Sequence, residues 1–192
     1  MGCDIHLYNE KLVNGKWVPA DRWAPSNDAW DNGRAVCLSE TYADRNYNLF
    51  GLLAAGVRTE HPFSFQPRGL PDNVSPEVRG EAEAWGHDGH NHSHLYLNEM
   101  EEMRAHLEAE NVHISGMKDR EGLKALRASI ASGAPNWDLL FPYCMATNCA
   151  GYESFEVDVP ASFPMGDALD TIISGLESVG GDSQRIVFWF DS

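Results

Sequence analysis

The dipeptide Asn14–Gly15 sits between two extended stretches, "CDIHLYNEKLV" and "KWVPA". Asn-Gly is the strongest short signal for a two-residue hairpin, because both residues accept the positive φ that the turn demands. It commits the start of the chain to antiparallel pairing. On the first strand the two-residue period puts Cys3, Ile5 and Leu7 on one face and Asp4, His6 and Tyr8 on the other. The apolar set is expected to face a core, with Asp4 and His6 projecting together into solvent or a cleft. At the far end "QRIVFWFDS" reads as a further strand, and "YESFEVDVP" alternates Phe155, Val157 and Val159 with Glu156 and Asp158, as a half-buried strand does.

Helical periods fill the middle. Asp44 can cap a helix carrying Leu49, Leu52, Leu53 and Val57 at helical spacing. Ser75, followed by Pro76 at the first helical position, starts a short helix that runs to about Trp85. Two more helices are predicted over Asn98–Glu110 and Asp119–Ala131, and "MGDALDTIISGLESVGG" is an amphipathic helix stopped by glycines. Residues 21–44, with Trp23, Pro25, Trp30, Asn32 and Gly33, read as a long loop, and 85–96 as a histidine-rich loop. Strands at both ends with helices between them predict one α+β domain over 1–192. Its sheet would be mostly antiparallel, with an N-terminal hairpin, a C-terminal strand and helices packed on it.

The histidine-rich stretch, "WGHDGHNHSHL", holds four of the eight histidines. In an extended segment His90, His92 and His94 fall on one side together with Asp88, and Gly86 and Gly89 let the backbone bend around a point. A metal needs several donors converging within about 2.0–2.2 Å. This segment supplies two or three, so others must come from elsewhere, and Asp4 and His6 are the obvious source. Two Asp-x-His units, Asp4–His6 and Asp88–His90, offer mixed oxygen and nitrogen donors of the kind that suit Zn²⁺ or Mn²⁺. An ion so held would activate water against a phosphate ester or nucleotide, with Asp88 and His90 as the catalytic pair. Two other readings stand beside it: a polar loop of individually hydrogen-bonded histidines, and metal-free acid–base use of Asp88 and His90. Arg45 and Arg68 are scarce cations in an acidic chain. Each could clamp a small anionic substrate, or pair locally with surplus carboxylates.

Charge narrows the partners. With 29 acidic against 14 basic residues the net charge is −15, which repels a bare duplex and an anionic membrane. Direct nucleic-acid binding is not expected. A cation, or a basic surface on a host protein, fits better, and so does solubility alone. Hydrophobic residues make up 43%, enough for a core. No stretch is apolar enough to span a bilayer, and "MGCDIHLYNE" has neither the basic nor the apolar region of a secretory signal, so a cytoplasmic location is expected. His6 stands where a myristoylation pattern wants Ser or Thr. Cys3, Cys37, Cys144 and Cys149 form no tight framework and read as reduced thiols, with Cys144 and Cys149 too far apart for a Cys-x-x-Cys knuckle.

Several blocks carry a family resemblance: "MGCDIH", "RNYNLF" and "LLAAGVR" within 45–58, "RGLPDNVSPEVR" at 68–79, "HDGHNHSHLYL" after Trp85, and "RIVFWFD" near the end. In these the chain resembles a family of proteins encoded by bacteriophages and by bacteria carrying prophages. The resemblance implies that Cys3, Asp4, His6, Arg45, Arg68, Asp88, His90 and Ser93 occupy motif positions, whereas His87, His92 and His94 are extras of this sequence. It implies a bacterial host cytoplasm and carries no mechanism with it. Two functions are therefore expected. One is a small metal-dependent hydrolase held together by Asp4, His6, Asp88 and His90. The other is a non-catalytic acidic accessory protein, such as a host-defence inhibitor or nucleic-acid mimic, that covers a basic host surface.

Overall fold

The computed structural model describes residues 2–28, 31, 33–58, 61–144 and 150–191. Its described residues form an α+β fold of eight strands and five α-helices in which every strand pairing is antiparallel. The chain divides into two compact units, Met1–Arg104 with Met165–Ser192, and Ala105–Pro164. No described helix is long and apolar enough to cross a membrane.

In the first unit the predicted hairpin forms. Strand β1 (Asp4–Val13) turns through Asn14 and Gly15, with φ of 50° and 75°, into β2 (Lys16–Pro19). Residues 21–44 are not wholly loop. They contain a ribbon of β3 (Arg22–Pro25) and β4 (Ala35–Ser39), because Trp23 and Cys37 find an apolar seat against the sheet. Helix α1 (Tyr47–Leu53) is capped by Asn46, whose Oδ1 accepts the Leu49 N–H at 3.0 Å, rather than by Asp44. Helix α2 (Pro76–Trp85) matches its predicted span. The histidine-rich segment is also not simply a loop, since His90–Tyr96 form β5. Helix α3 (Leu97–Ala109) follows at once and carries the chain into the second unit.

The second unit adds β6 (Asn111–Asp119), a strand without a clear sequence signal, then α4 (Arg120–Ala131) and β7 (Tyr152–Pro160). Strands β6 and β7 pair along their whole length, and Leu123, Leu126, Leu140, Phe155 and Val159 form the core beneath them. Gly116 leaves room for an aromatic ring: a Cβ there would come 2.7 Å from Tyr143. Lys118 is buried, and its ammonium donates to the carbonyls of Leu140, Phe141 and Pro142 at 3.0–3.4 Å. Cys144 bridges to Met117 through the backbone, while Cys149 lies outside the described residues.

The chain then returns to the first unit through α5 (Ala168–Ser178) and β8 (Gln184–Asp191). Strand β8 is central, in the order β2-β1-β8-β5. That position explains its nearly unbroken apolar run, because both faces of the sheet are covered. Ile5, Leu7, Phe188, Phe190 and Leu95 are buried on one face, where the ring of Phe50 from α1 lies 5.1 Å from that of Phe190. Tyr8, Val187 and Trp189 are buried on the other, under Val74, Val78 and Ala82. The face of β1 that alternation marks as polar is thus buried at Tyr8 and Glu10 and opens only toward Asp4.

Candidate binding cleft

Register decides which side chains meet. Strand β1 runs against β8 so that Asp4 stands opposite Asp191, His6 opposite Trp189, and Glu10 opposite Arg185. Directly opposed residues share a face. At the open end of these strands a cleft of about 330 Å³ is lined by Gly2, Asp4, Arg45, Trp85, Asp88 and Asp191. Its lining comes from five parts of the first unit: the start of β1 with the residue before it, the end of β8, the chain before α1, the last residue of α2 and the turn that follows α2.

Asp191 is held in place by two contacts. Its Oδ1 accepts the Asp4 N–H at 3.0 Å, and its Oδ2 lies 3.4 Å from His6 Nε2. Asp4 grips Arg45 with both oxygens, Nη2 donating to Oδ2 at 2.7 Å and Nε to Oδ1. This hydrogen bond, with the guanidinium charge, holds the Asp4 carboxyl below its usual range and pushes Arg45 upward. The guanidinium lies flat against Gly2, where a Cβ would come within 2.7–2.8 Å of three of its atoms. Asp88 is presented by a tight turn after α2. Gly86 takes φ of +53°, and the Asp88 N–H donates to the Trp85 carbonyl at 3.1 Å. The Asp88 carboxylate has no hydrogen-bond or ion-pair partner among the described residues.

Beneath the cleft His6 is packed between indoles, its ring 4.1 Å from Trp85 and 5.8 Å from Trp189. Behind it burial raises the Glu40 carboxyl, and the nearby His6 partly offsets that.

Of the residues expected to share one site, the structure brings Asp4, His6 and Asp88 together and leaves His90 out. Strand β5 steps three residues, His90 to Ser93, while β8 steps two, Phe190 to Phe188. Asn91, at φ of 52°, absorbs the extra residue. Such a bulge reverses the alternation on one side of itself. His90 therefore pairs opposite Phe190, stacks on it at 6.2 Å, and shares the side of Ile5 rather than that of His6. Its Nδ1 lies 2.8 Å from Asn91 Oδ1. The expected alignment of His90 with His92 and His94 is corrected accordingly. His92 stacks on Trp189 at 5.4 Å on the other face, and burial, then His90, lowers its pKa. His94, with Nδ1 3.4 Å from the Gly69 carbonyl, is lowered chiefly by burial. Asp88 and His90 do not form a pair on one face. Among the described residues no group of three or more His, Cys, Asp or Glu side chains is arranged to hold a metal ion.

Arg68 lies outside the cleft. Its guanidinium forks onto Glu99 at 2.6 and 2.9 Å, and its N–H donates to the buried Ser93 Oγ at 3.2 Å. Burial alone would raise Glu99, but Arg68 and the Tyr96 N–H bring it below its usual range. Sequence reasoning missed Asp191 and the wall formed by Trp85. The signal for Asp191 was there, a lone acid ending an apolar strand, but its meaning depends on register.

Comparisons of the chain with family models, with curated proteins and with solved structures find no match.

Proposed function

We propose that this chain is a non-catalytic acidic accessory protein, of the phage kind its sequence blocks resemble, that binds a basic surface of a host protein. The observation that carries this reading is how the charges are spent. Arg45 and Arg68, the two cations expected to receive an anion, are each forked onto a carboxylate, whereas Asp88 faces the cleft without a partner among the described residues. A phosphate entering there would meet three carboxylates and an arginine already neutralised, while a cation would meet the opposite. Net charge of −15 extends the same preference over the molecule. Immobilised protein challenged with bacterial lysate should retain a basic protein at low salt and release it at high salt, because exposed charge pairs are screened. Equal recovery at both, or none, overturns the proposal.

A second reading, a small Zn- or Mn-dependent hydrolase acting on a phosphate ester, draws support from Asp4 and Asp88 lining one cleft with His6 packed against its Trp85 wall. It requires stoichiometric metal in the purified protein that is lost on Asp88→Ala and kept on His90→Ala. Elemental analysis of the three proteins decides it.

A further inference from the structure

We infer that the cleft between Asp88, Asp191 and Trp85 is a docking site for one arginine side chain of a basic partner protein. The inference rests on the reading above and sharpens it from a charged surface to a single pocket.

Four features point to a guanidinium. The first is the strand register, which fixes Asp4 directly opposite Asp191 on one face. Like charges so opposed are destabilising, and the pairing of β1 with β8 prevents them from separating. The second is the balance of charges: among the described residues that line the cleft there are three carboxylates and one guanidinium, that of Arg45. Arg45 is consumed by Asp4, so Asp88 and Asp191 retain acceptor capacity. Among the described residues the hydrogen-bond partner of Asp191 Oδ2 is the imidazole of His6, at 3.4 Å. The third is Arg45 itself. Its planar group is itself part of the cleft's lining, flat on Gly2 and forked by Asp4, so two of the lining residues already accept a guanidinium. The fourth is Trp85, an indole wall buttressed from beneath by His6 at 4.1 Å. Indole faces attract cations, and the flat guanidinium stacks on them while forking onto carboxylates, which an ammonium does not do.

A short capped peptide with one arginine, Gly-Gly-Arg-Gly-Gly, should bind the full chain saturably in calorimetric titration. Its citrulline counterpart, which keeps the shape and loses the charge, should bind at least about tenfold more weakly, and its lysine counterpart should fall between them. Asp88→Asn and Asp191→Asn should each weaken the arginine peptide about tenfold. Both keep the side-chain shape, and the amide oxygen that Asp191→Asn leaves in place can still accept the Asp4 N–H, so amide spectra should confirm an intact fold. Trp85→Leu should remove the preference for arginine over lysine. Glu108→Gln, at an exposed position of α3, is the control and should bind as wild type.

Equal binding of the arginine and citrulline peptides overturns the pocket, as does wild-type affinity in Asp88→Asn. An equal loss in Glu108→Gln would mean that overall charge attracts the peptide. That outcome also overturns the pocket, yet leaves the acidic-accessory reading standing. Salt-dependent capture of a basic protein with no peptide binding likewise overturns the pocket alone, and failure of both assays removes both proposals.

Discussion

The two ends of the β1–β8 pair carry ionic groups in opposite arrangements. Six residues apart along β1, Glu10 faces Arg185 and Asp4 faces Asp191. Glu10 and Arg185 are fully buried and completely partnered. Arg185 donates to Glu10 Oε2 at 2.7 and 2.8 Å, reaches Asn73, and lies 3.9 Å from the centre of the Trp17 ring. The other Glu10 oxygen accepts the Ser75 N–H at 2.6 Å, which ties the start of α2 to the sheet. At the open end two like charges are opposed, one is covered by Arg45, and the rest face solvent. The first arrangement spends every acceptor on the fold. The second leaves acceptors over, and unspent acceptors at a cleft are what a ligand can use.

Breaking the buried end should have the largest effect. Arg185→Met leaves Glu10 charged and buried without its cation, and should cost about 3–5 kcal/mol in urea denaturation. Adding Glu10→Leu removes the stranded charge and should restore much of that loss. A double variant as unstable as the single one would show that the pair acts through the Ser75 tether rather than through charge.

Asp21 sharpens the same contrast, being a half-buried carboxyl with no cationic partner among the described residues. It accepts from Asn9 Nδ2 at 3.3 Å and from Thr41 Oγ1 at 3.5 Å, yet burial pushes its pKa up to about 6 from 3.8, with Glu40 adding to the shift. The folded state therefore holds its proton to higher pH than the unfolded state does. Stability from this group is greatest below about pH 4, falls as pH rises through 6, and then levels, a step of roughly 2–3 kcal/mol. Denaturation across pH 4–7 should show this step, and Asp21→Asn should flatten it. An unchanged step in the variant would assign it to another group.

Much of the fold was legible because it followed from local chemistry. Asn14–Gly15 set the hairpin, Ser75–Pro76 started α2, and the alternation in "YESFEVDVP" marked β7. Strands β3 and β4 were hidden by Pro25 and Gly33, and form because Trp23 packs against Tyr8 with ring centres 5.2 Å apart, a contact that no local pattern records. The site was half legible. Alternation placed Asp4 and His6 on one face, as found. The same rule misplaced His90, because Asn91 adopts a left-handed conformation that few residues other than Gly and Asn tolerate, and the bulge it creates cannot be read from alternation. Asp191 was visible as a lone acid ending an apolar strand, but its role was not. Its importance arises from standing opposite Asp4, and pairing between residues at opposite ends of a chain is settled by tertiary packing.

The smallest structural change should give the most discriminating result at the open end. Arg45→Ala removes an exposed guanidinium that is ion-paired with Asp4, and exposed pairs contribute little to stability, so the denaturation midpoint should barely move. Binding should respond instead. If Arg45 were an anion clamp, its loss would leave the cleft unable to hold a phosphate and would not help a cation. If Arg45 is the chain's own occupant of a cation site, its loss frees both oxygens of Asp4 beside Asp191. A foreign arginine then gains a third carboxylate and loses a like-charged neighbour. Affinity for the arginine peptide should rise about three- to tenfold, the usual scale for removing a like charge near a binding group, and the gain should shrink at high salt. Titration of the peptide into wild type and Arg45→Ala at two salt concentrations measures this directly. A fall in affinity would mean that Arg45 shapes the pocket rather than competing for it, and the contrast between the two ends of β1 and β8 would then be one of solvent exposure alone.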